Sequence, residues 1–312
     1  MAQTYFIDVR ADSTGGNPVA TVDDIVIRTD AQQNPSPTLP LDPELIQAVQ
    51  GRDVLLGTHG FHVDRSHGIE YLTYWSNWLQ LDPNGFFVGV LWPGDSKWLH
   101  GIDYPIEGDE AISSGNLLAL YLIAKFSGAA SLSFASHSLG ARVMLQTIRN
   151  LPLTPRLVSL TVMAAAIDDT CLVDEYADAA GKMTKVSVLA SKRDDVLEWL
   201  FPAGNLASGI ITRDDPYWHG ALGRYGPNPP NQPSKLYGSP ILPDLWKYGH
   251  GSYINLNGQY AGPPTESGKF GPLPLVVPPA GTPMPPGKKA PPAPDPNWQQ
   301  AWAAGFVSGR FS

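Results

Sequence analysis

Residues 131–144 read SLSFASHSLGARVM, and the way this stretch folds decides the architecture around it. Leu132 to Ala135 is apolar and β-prone, Ser136-His137-Ser138-Leu139-Gly140 is a compact turn, and Leu139, Val143, Met144 and Ile148 then recur at helical spacing. A strand, a sharp turn and a helix in that order are the setting of a nucleophile elbow. The turn lifts the Ser138 hydroxyl above the edge of a sheet and leaves it at a helix N-terminus, where backbone N–H groups point outward. Backbone segments nearly touch at such a turn, so the residues two before and two after the serine must be small. Ser136 and Gly140 meet that demand, with Ser136 standing where glycine is usual. A serine-rich turn whose serine merely caps a helix is the competing account of the same residues.

Working outward, strands are expected at Tyr5–Val9, Thr21–Arg28, Asp53–Thr58, Gly85–Trp92, Leu157–Ala166 and Lys185–Ala190. Helices are expected at Leu41–Gln50, Ile69–Leu81, Glu110–Phe126 and Val173–Ala180, with Ser191–Leu200 passing from loop into helix. In Ile69–Leu81 the apolar face is Leu72, Trp75 and Leu79. This alternation predicts an α/β fold with a mostly parallel central sheet and helices on both faces.

A serine hydroxyl needs a base to take its proton and an acid to orient the base. In a doubly wound sheet these sit on loops after strand ends, in the order serine, acid, histidine. Asp194 and Asp195 follow the Lys185–Ala190 strand within SKRDDVLEW, and Asp168 follows the strand before it. His250 lies in the glycine-flanked KYGHGSY, and His219 in YWHGALGRYG competes with it. The developing oxyanion needs two donors. The Leu139 amide follows the serine, and the second is expected from His59-Gly60-Phe61 after DVLLGT, at the Phe61 N–H or else at His62.

Taken together, HGF after one strand, WPGD after the next, SHSLG, AAAID, KRDDVL and a late Gly-His resemble the α/β-hydrolase superfamily. Within it they are similar to a bacterial group of serine esterase or lipase-like proteins catalogued as a domain of unknown function. The resemblance covers about Asp53 to Tyr253. It implies an α/β-hydrolase fold, Ser138 as nucleophile, an Asp after the Lys185–Ala190 strand as acid and His250 as base. In the D-x-x-L pattern Asp194 fits better than Asp195, with Leu197 in the Leu place. Leu139 stands where that group often has Met, and the segment from Leu200 to His250 aligns less readily than the rest. The implied activity is a carboxylesterase, with a lipase or thioesterase on the same residues as the near alternative. Residues 1–260 are then the catalytic domain and 261–312 a Pro-rich extension ending in a short helix at Trp298–Phe306.

The remaining features exclude more than they add. With 43% hydrophobic and 16% charged residues, the 312-residue chain can bury a large core. A net charge of −8 without a basic patch argues against nucleic acid as a partner. A single cysteine, Cys171, excludes an intramolecular disulfide framework. No stretch reaches membrane-spanning length and no leader is visible, so a cytoplasmic location is expected, with a small-molecule ester as partner. His59, His62, Asp64 and His67 are spaced close to, but not as, a metallo-hydrolase ligand run, so neither metal nor cofactor is expected. A metal-dependent hydrolase on that cluster and a non-catalytic binding protein on a hydrolase scaffold are the readings from other classes. Tyr74, Trp75, Trp78, Trp92 and Trp98 are mostly core aromatics. His62, Trp92 and His137 are expected to line the substrate pocket.

Overall fold

The computed structural model describes residues 4–10, 26–29, 42–78, 81, 83–94, 104–198, 220–236, 241–242, 244 and 248–253. Among the described residues seven strands form one sheet: β1 (Thr4–Asp8), β2 (Val26–Thr29), β3 (Asp53–Thr58), β4 (Gly85–Leu91), β5 (Ser131–His137), β6 (Arg156–Met163) and β7 (Lys185–Leu189). Their spatial order is β2-β1-β4-β3-β5-β6-β7. Of these seven, only β2 is antiparallel to its neighbour. Six parallel strands interleaved with helices and closed by one antiparallel edge strand make the α/β-hydrolase fold.

Strand alternation divides the core in two. Val54, Leu56, Val88, Val90, Leu132, Phe134, Val162 and Val188 face one side. There they pack on α1 (Asp42–Val49), α3 (Tyr104–Lys125), α4 (Gly140–Asn150) and α5 (Ala177–Lys182). Phe6, Leu55, Phe87, Leu91, Ala135, Met163 and Leu189 face the other, against Ile69, Leu72 and Trp75 of α2 (Arg65–Trp78) and against Tyr248 and Tyr253. Strands buried on both faces read as near-continuous apolar runs, which is why they stand out in the sequence.

Helix starts were the less legible part. α2 begins at Arg65, four residues ahead of the apolar pattern, because Asp64 caps it: its Oδ1 accepts the His67 N–H at 2.9 Å. α3 begins at Tyr104, with Pro105 in the first turn where a missing N–H costs nothing. The helix expected at Val173–Ala180 starts only at Ala177, since residues 170–176 close turns on Thr170 O and Cys171 O instead. Past β7 the chain returns through α6 (Leu222–Tyr225) and runs along the free edge of β7, with parallel bridges Val186–Leu236 and Ala190–Ile241. A short 3-10 turn, His250–Ser252, follows at the carboxyl end of the sheet.

Among the described residues no helix is long and apolar enough to cross a membrane. Residues 21–25 of the second expected strand, Leu79, Trp98, His219 and the Pro-rich extension with its Trp298–Phe306 helix lie outside the described residues. So does the proposed domain boundary at residue 260.

Candidate active site

β3 and β5 are adjacent, yet the chain leaves β3 toward β4 on one side and reaches β5 on the other. This is the point where the strand order reverses, and the crevice at the carboxyl ends of such strands is where open α/β sheets bind ligands. The two loops bordering it are 59–64 after β3 and the turn after β5. They interlock through two glycines. A Cβ on Gly60 would come within 2.7 Å of the Ser138 Cβ, and a Cβ on Gly140 within 2.2 Å of the His59 carbonyl oxygen.

The turn itself is strained. Ser138 has φ of 53°, a left-handed conformation that costs a non-glycine residue about 1–3 kcal/mol. Its N–H donates to Met163 O at 2.9 Å, anchoring the turn to the end of β6. Ser136 is fully buried, and its hydroxyl has no hydrogen-bond partner among the described residues.

Three side chains, from the turn after β5, the loop after β7 and the 3-10 turn His250–Ser252, meet through two hydrogen bonds. The Ser138 Oγ–H donates to His250 Nε2 at 2.9 Å, and the His250 Nδ1–H donates to Asp194 Oδ2 at 2.8 Å. The other oxygen of Asp194 accepts the Leu197 N–H at 3.0 Å, where a helical turn begins. Asp194 is wholly buried, whereas the His250 side chain is 17% exposed and open to a ligand. Asp195, one residue on, is exposed. Asp168 sits past β6 in a bridge with Ala221.

Neither the Leu139 nor the Phe61 N–H has a hydrogen-bond partner among the described residues. His59 explains how the second is aimed. Its Nδ1–H donates to the Gly60 carbonyl at 2.9 Å, while its Nε2 accepts the Trp92 N–H at 3.4 Å. In a trans peptide the carbonyl and the following N–H point in opposite directions. Holding the Gly60 oxygen inward therefore turns the Phe61 N–H outward. Burial pushes the His59 imidazole down to about 4, so it stays neutral in this role.

The structure corrects several expectations. The His62 amide is not an alternative oxyanion donor, because at φ of 62° it donates to Gly94 O at 2.5 Å. The His62 side chain is exposed at the crest of that loop. Trp92 does not line a pocket. Its large apolar ring turns into the core, stacks on His59 at 5.8 Å, and its indole N–H donates to His59 O at 3.0 Å. His137 is likewise buried behind the site rather than lining it. The His59–His67 cluster is dispersed: His59 is buried, while His67 is exposed and paired with Asp64 at 2.7 Å. Among the described residues no group of three or more His, Cys, Asp or Glu side chains is placed to hold a metal.

Supporting residues had no signal in the sequence, since each acts on a distant backbone carbonyl. Buried Arg10 donates to Trp92 O at 2.8 Å and Val63 O at 3.4 Å, tying the end of β1 to the loop after β3. Buried Arg224 donates to Asp194 O at 2.6 Å and pairs with Glu198 at 2.9 Å. The Ser191 hydroxyl donates to Tyr248 O at 2.6 Å, two residues before His250.

No family model matches the chain, and no curated protein matches it. Among solved structures it is similar in part to one titled esterase PE8, with 17% identity over 47% of this chain and 72% of that one, at a TM-score of 0.33. It is also similar in part to LpqC, titled a poly(3-hydroxybutyrate) depolymerase from Bordetella parapertussis. There the identity is 17% over 49% of this chain and 61% of that one, at a TM-score of 0.30.

Proposed function

We propose that the chain is a serine hydrolase of ester bonds, acting as a carboxylesterase. The observation that carries this reading is the hydrogen-bonded chain Ser138–His250–Asp194 at a strained elbow, beside two amides without a partner among the described residues. In the proposed cycle Ser138 Oγ attacks the ester carbonyl carbon as its proton passes to His250 Nε2. Negative charge on the carbonyl oxygen is met by the Leu139 and Phe61 N–H groups, a contribution typically worth 10²–10³ in rate per donor. Asp194 holds the Nδ1–H tautomer and stabilises the imidazolium. His250 then gives its proton to the departing alcohol, and water, deprotonated by the same nitrogen, releases the acid from the acyl-enzyme.

Hydrolysis of short and medium p-nitrophenyl esters by wild type and Ser138→Ala, each with and without EDTA, tests the reading. Hydrolysis insensitive to chelator and reduced at least about 10³-fold in the folded variant is expected. Chelator-sensitive hydrolysis that persists in Ser138→Ala would overturn it.

A further inference from the structure

His250 stands between two glycines, the residues that restrain a main chain least by their own sterics. A base that must hold its Nε2 on Ser138 needs its own main chain fixed. The residue in place to do this is the one immediately before the nucleophile. The His137 Nε2–H donates to the His250 carbonyl oxygen at 2.7 Å. The two imidazole rings lie 4.9 Å apart with 54° between their planes, and Tyr253 closes the far side of His137 at 6.3 Å.

We propose that His137 is a positioning residue that aims the His250 imidazole at Ser138, an inference that rests on the serine-hydrolase reading. The geometry forms a closed ring. From the Ser138 hydroxyl the path runs through His250 Nε2, along its side chain to its carbonyl, across to the His137 ring, and back through one peptide bond to Ser138. Every link is a covalent bond or a hydrogen bond below 3 Å, so nucleophile and base cannot separate without breaking one. The ring also abuts the third loop of the site: a Cβ on Gly60 would stand 3.1 Å from His137 Nδ1. One flat side chain thus touches the loops that supply nucleophile, base and oxyanion donor.

The protonation state suits this role. Burial, helped by the neighbouring His250, pushes His137 down to about 3. A neutral His137 with its proton on Nε2 keeps the donor aimed at the carbonyl. It also adds no positive charge beside His250 when that ring takes the serine proton. Ser191, whose hydroxyl holds Tyr248 O, fixes the same segment two residues earlier.

The test compares wild type with His137→Phe, which keeps a flat ring but loses the donor, and with His137→Gln, whose amide restores a donor. Ester hydrolysis by Ser138→Ala is run beside them, and the downfield proton resonance of the His250 Nδ1–H is recorded for every protein. Misplacing reacting groups by about 1 Å can cost about 10²-fold. His137→Phe is therefore expected to lose about that factor in kcat, with KM within about 2-fold and a broadened or absent Nδ1–H resonance. His137→Gln is expected to recover most of kcat and the resonance. The proposal is overturned if folded His137→Phe keeps wild-type kcat and a sharp resonance, or if its defect lies in KM and Gln restores nothing. Absence of Ser138-dependent hydrolysis in wild type would defeat the ester-hydrolase reading instead, and the resonance of the two His137 variants would still decide the positioning role.

Discussion

Gly60 and Gly140 set how closely the loops around Ser138 can approach, and each lacks room for a single methyl group. The neighbour in the way at Gly140 is a backbone carbonyl, which cannot swing aside as a side chain tip would. Overpacking of this kind costs about 1–3 kcal/mol. Gly140→Ala is accordingly expected to lose about that much stability in urea melts and at least about 10²-fold in ester hydrolysis, by displacing reacting groups. Ser136 is the opposite case. Its buried hydroxyl finds no partner among the described residues, and an unsatisfied buried polar group costs about 1–3 kcal/mol. Ser136→Ala should raise the stability by about 1 kcal/mol and leave hydrolysis unchanged; a lower melting temperature would show that the hydroxyl is needed. Both effects stem from backbone proximity. The small-residue requirement at 136 and 140 is readable from the sequence, whereas the absence of a partner for Ser136 is not.

At the level of elements, Asp194 serves two neighbours from one carboxylate. Its Oδ1 accepts the Leu197 N–H as a helical turn begins, while Oδ2 faces His250. Asp194→Asn keeps an acceptor for the turn but cannot stabilise the imidazolium. We expect kcat lower by about 10⁴-fold, with the melting temperature nearly unchanged. Asp195→Asn, at an exposed position, should leave hydrolysis within about 2-fold. Sequence spacing put both aspartates after the Lys185–Ala190 strand, and only the D-x-x-L resemblance favoured Asp194 over its neighbour. One residue of offset at the start of a helical turn buries the first and exposes the second, and burial is a tertiary property. The starts of α2 and α3 were unreadable for a related reason: capping by Asp64 and the proline in the first turn of α3 act before the apolar periodicity begins. The parallel strands were legible because each is buried on both faces.

For the whole molecule, two buried neutral histidines make stability depend on acid. The ordinary imidazole value is 6.5, and burial lowers His59 to about 4 and His137 to about 3. As pH falls below 6.5 the unfolded chain takes up protons that the folded chain refuses, so stability drops. Each group contributes about 1.4 kcal/mol per pH unit until its folded value is reached. Urea midpoints from pH 7 to pH 5 should therefore fall steeply for wild type and less steeply for His137→Gln. An unchanged slope in that variant would mean that His137 is protonated in the folded protein. The same two rings hold the Gly60 and His250 carbonyl oxygens, so the scaffold's acid sensitivity and the site's geometry share residues.

The measurement that bears most directly on the proposed function is covalent labelling with a fluorophosphonate, read by peptide mass spectrometry. A serine activated by His250 should be phosphonylated stoichiometrically within the peptide bearing Ser138. Labelling should vanish in Ser138→Ala and slow sharply in His250→Gln. No adduct on Ser138 in folded wild type, or an adduct on another residue that survives Ser138→Ala, would contradict the account.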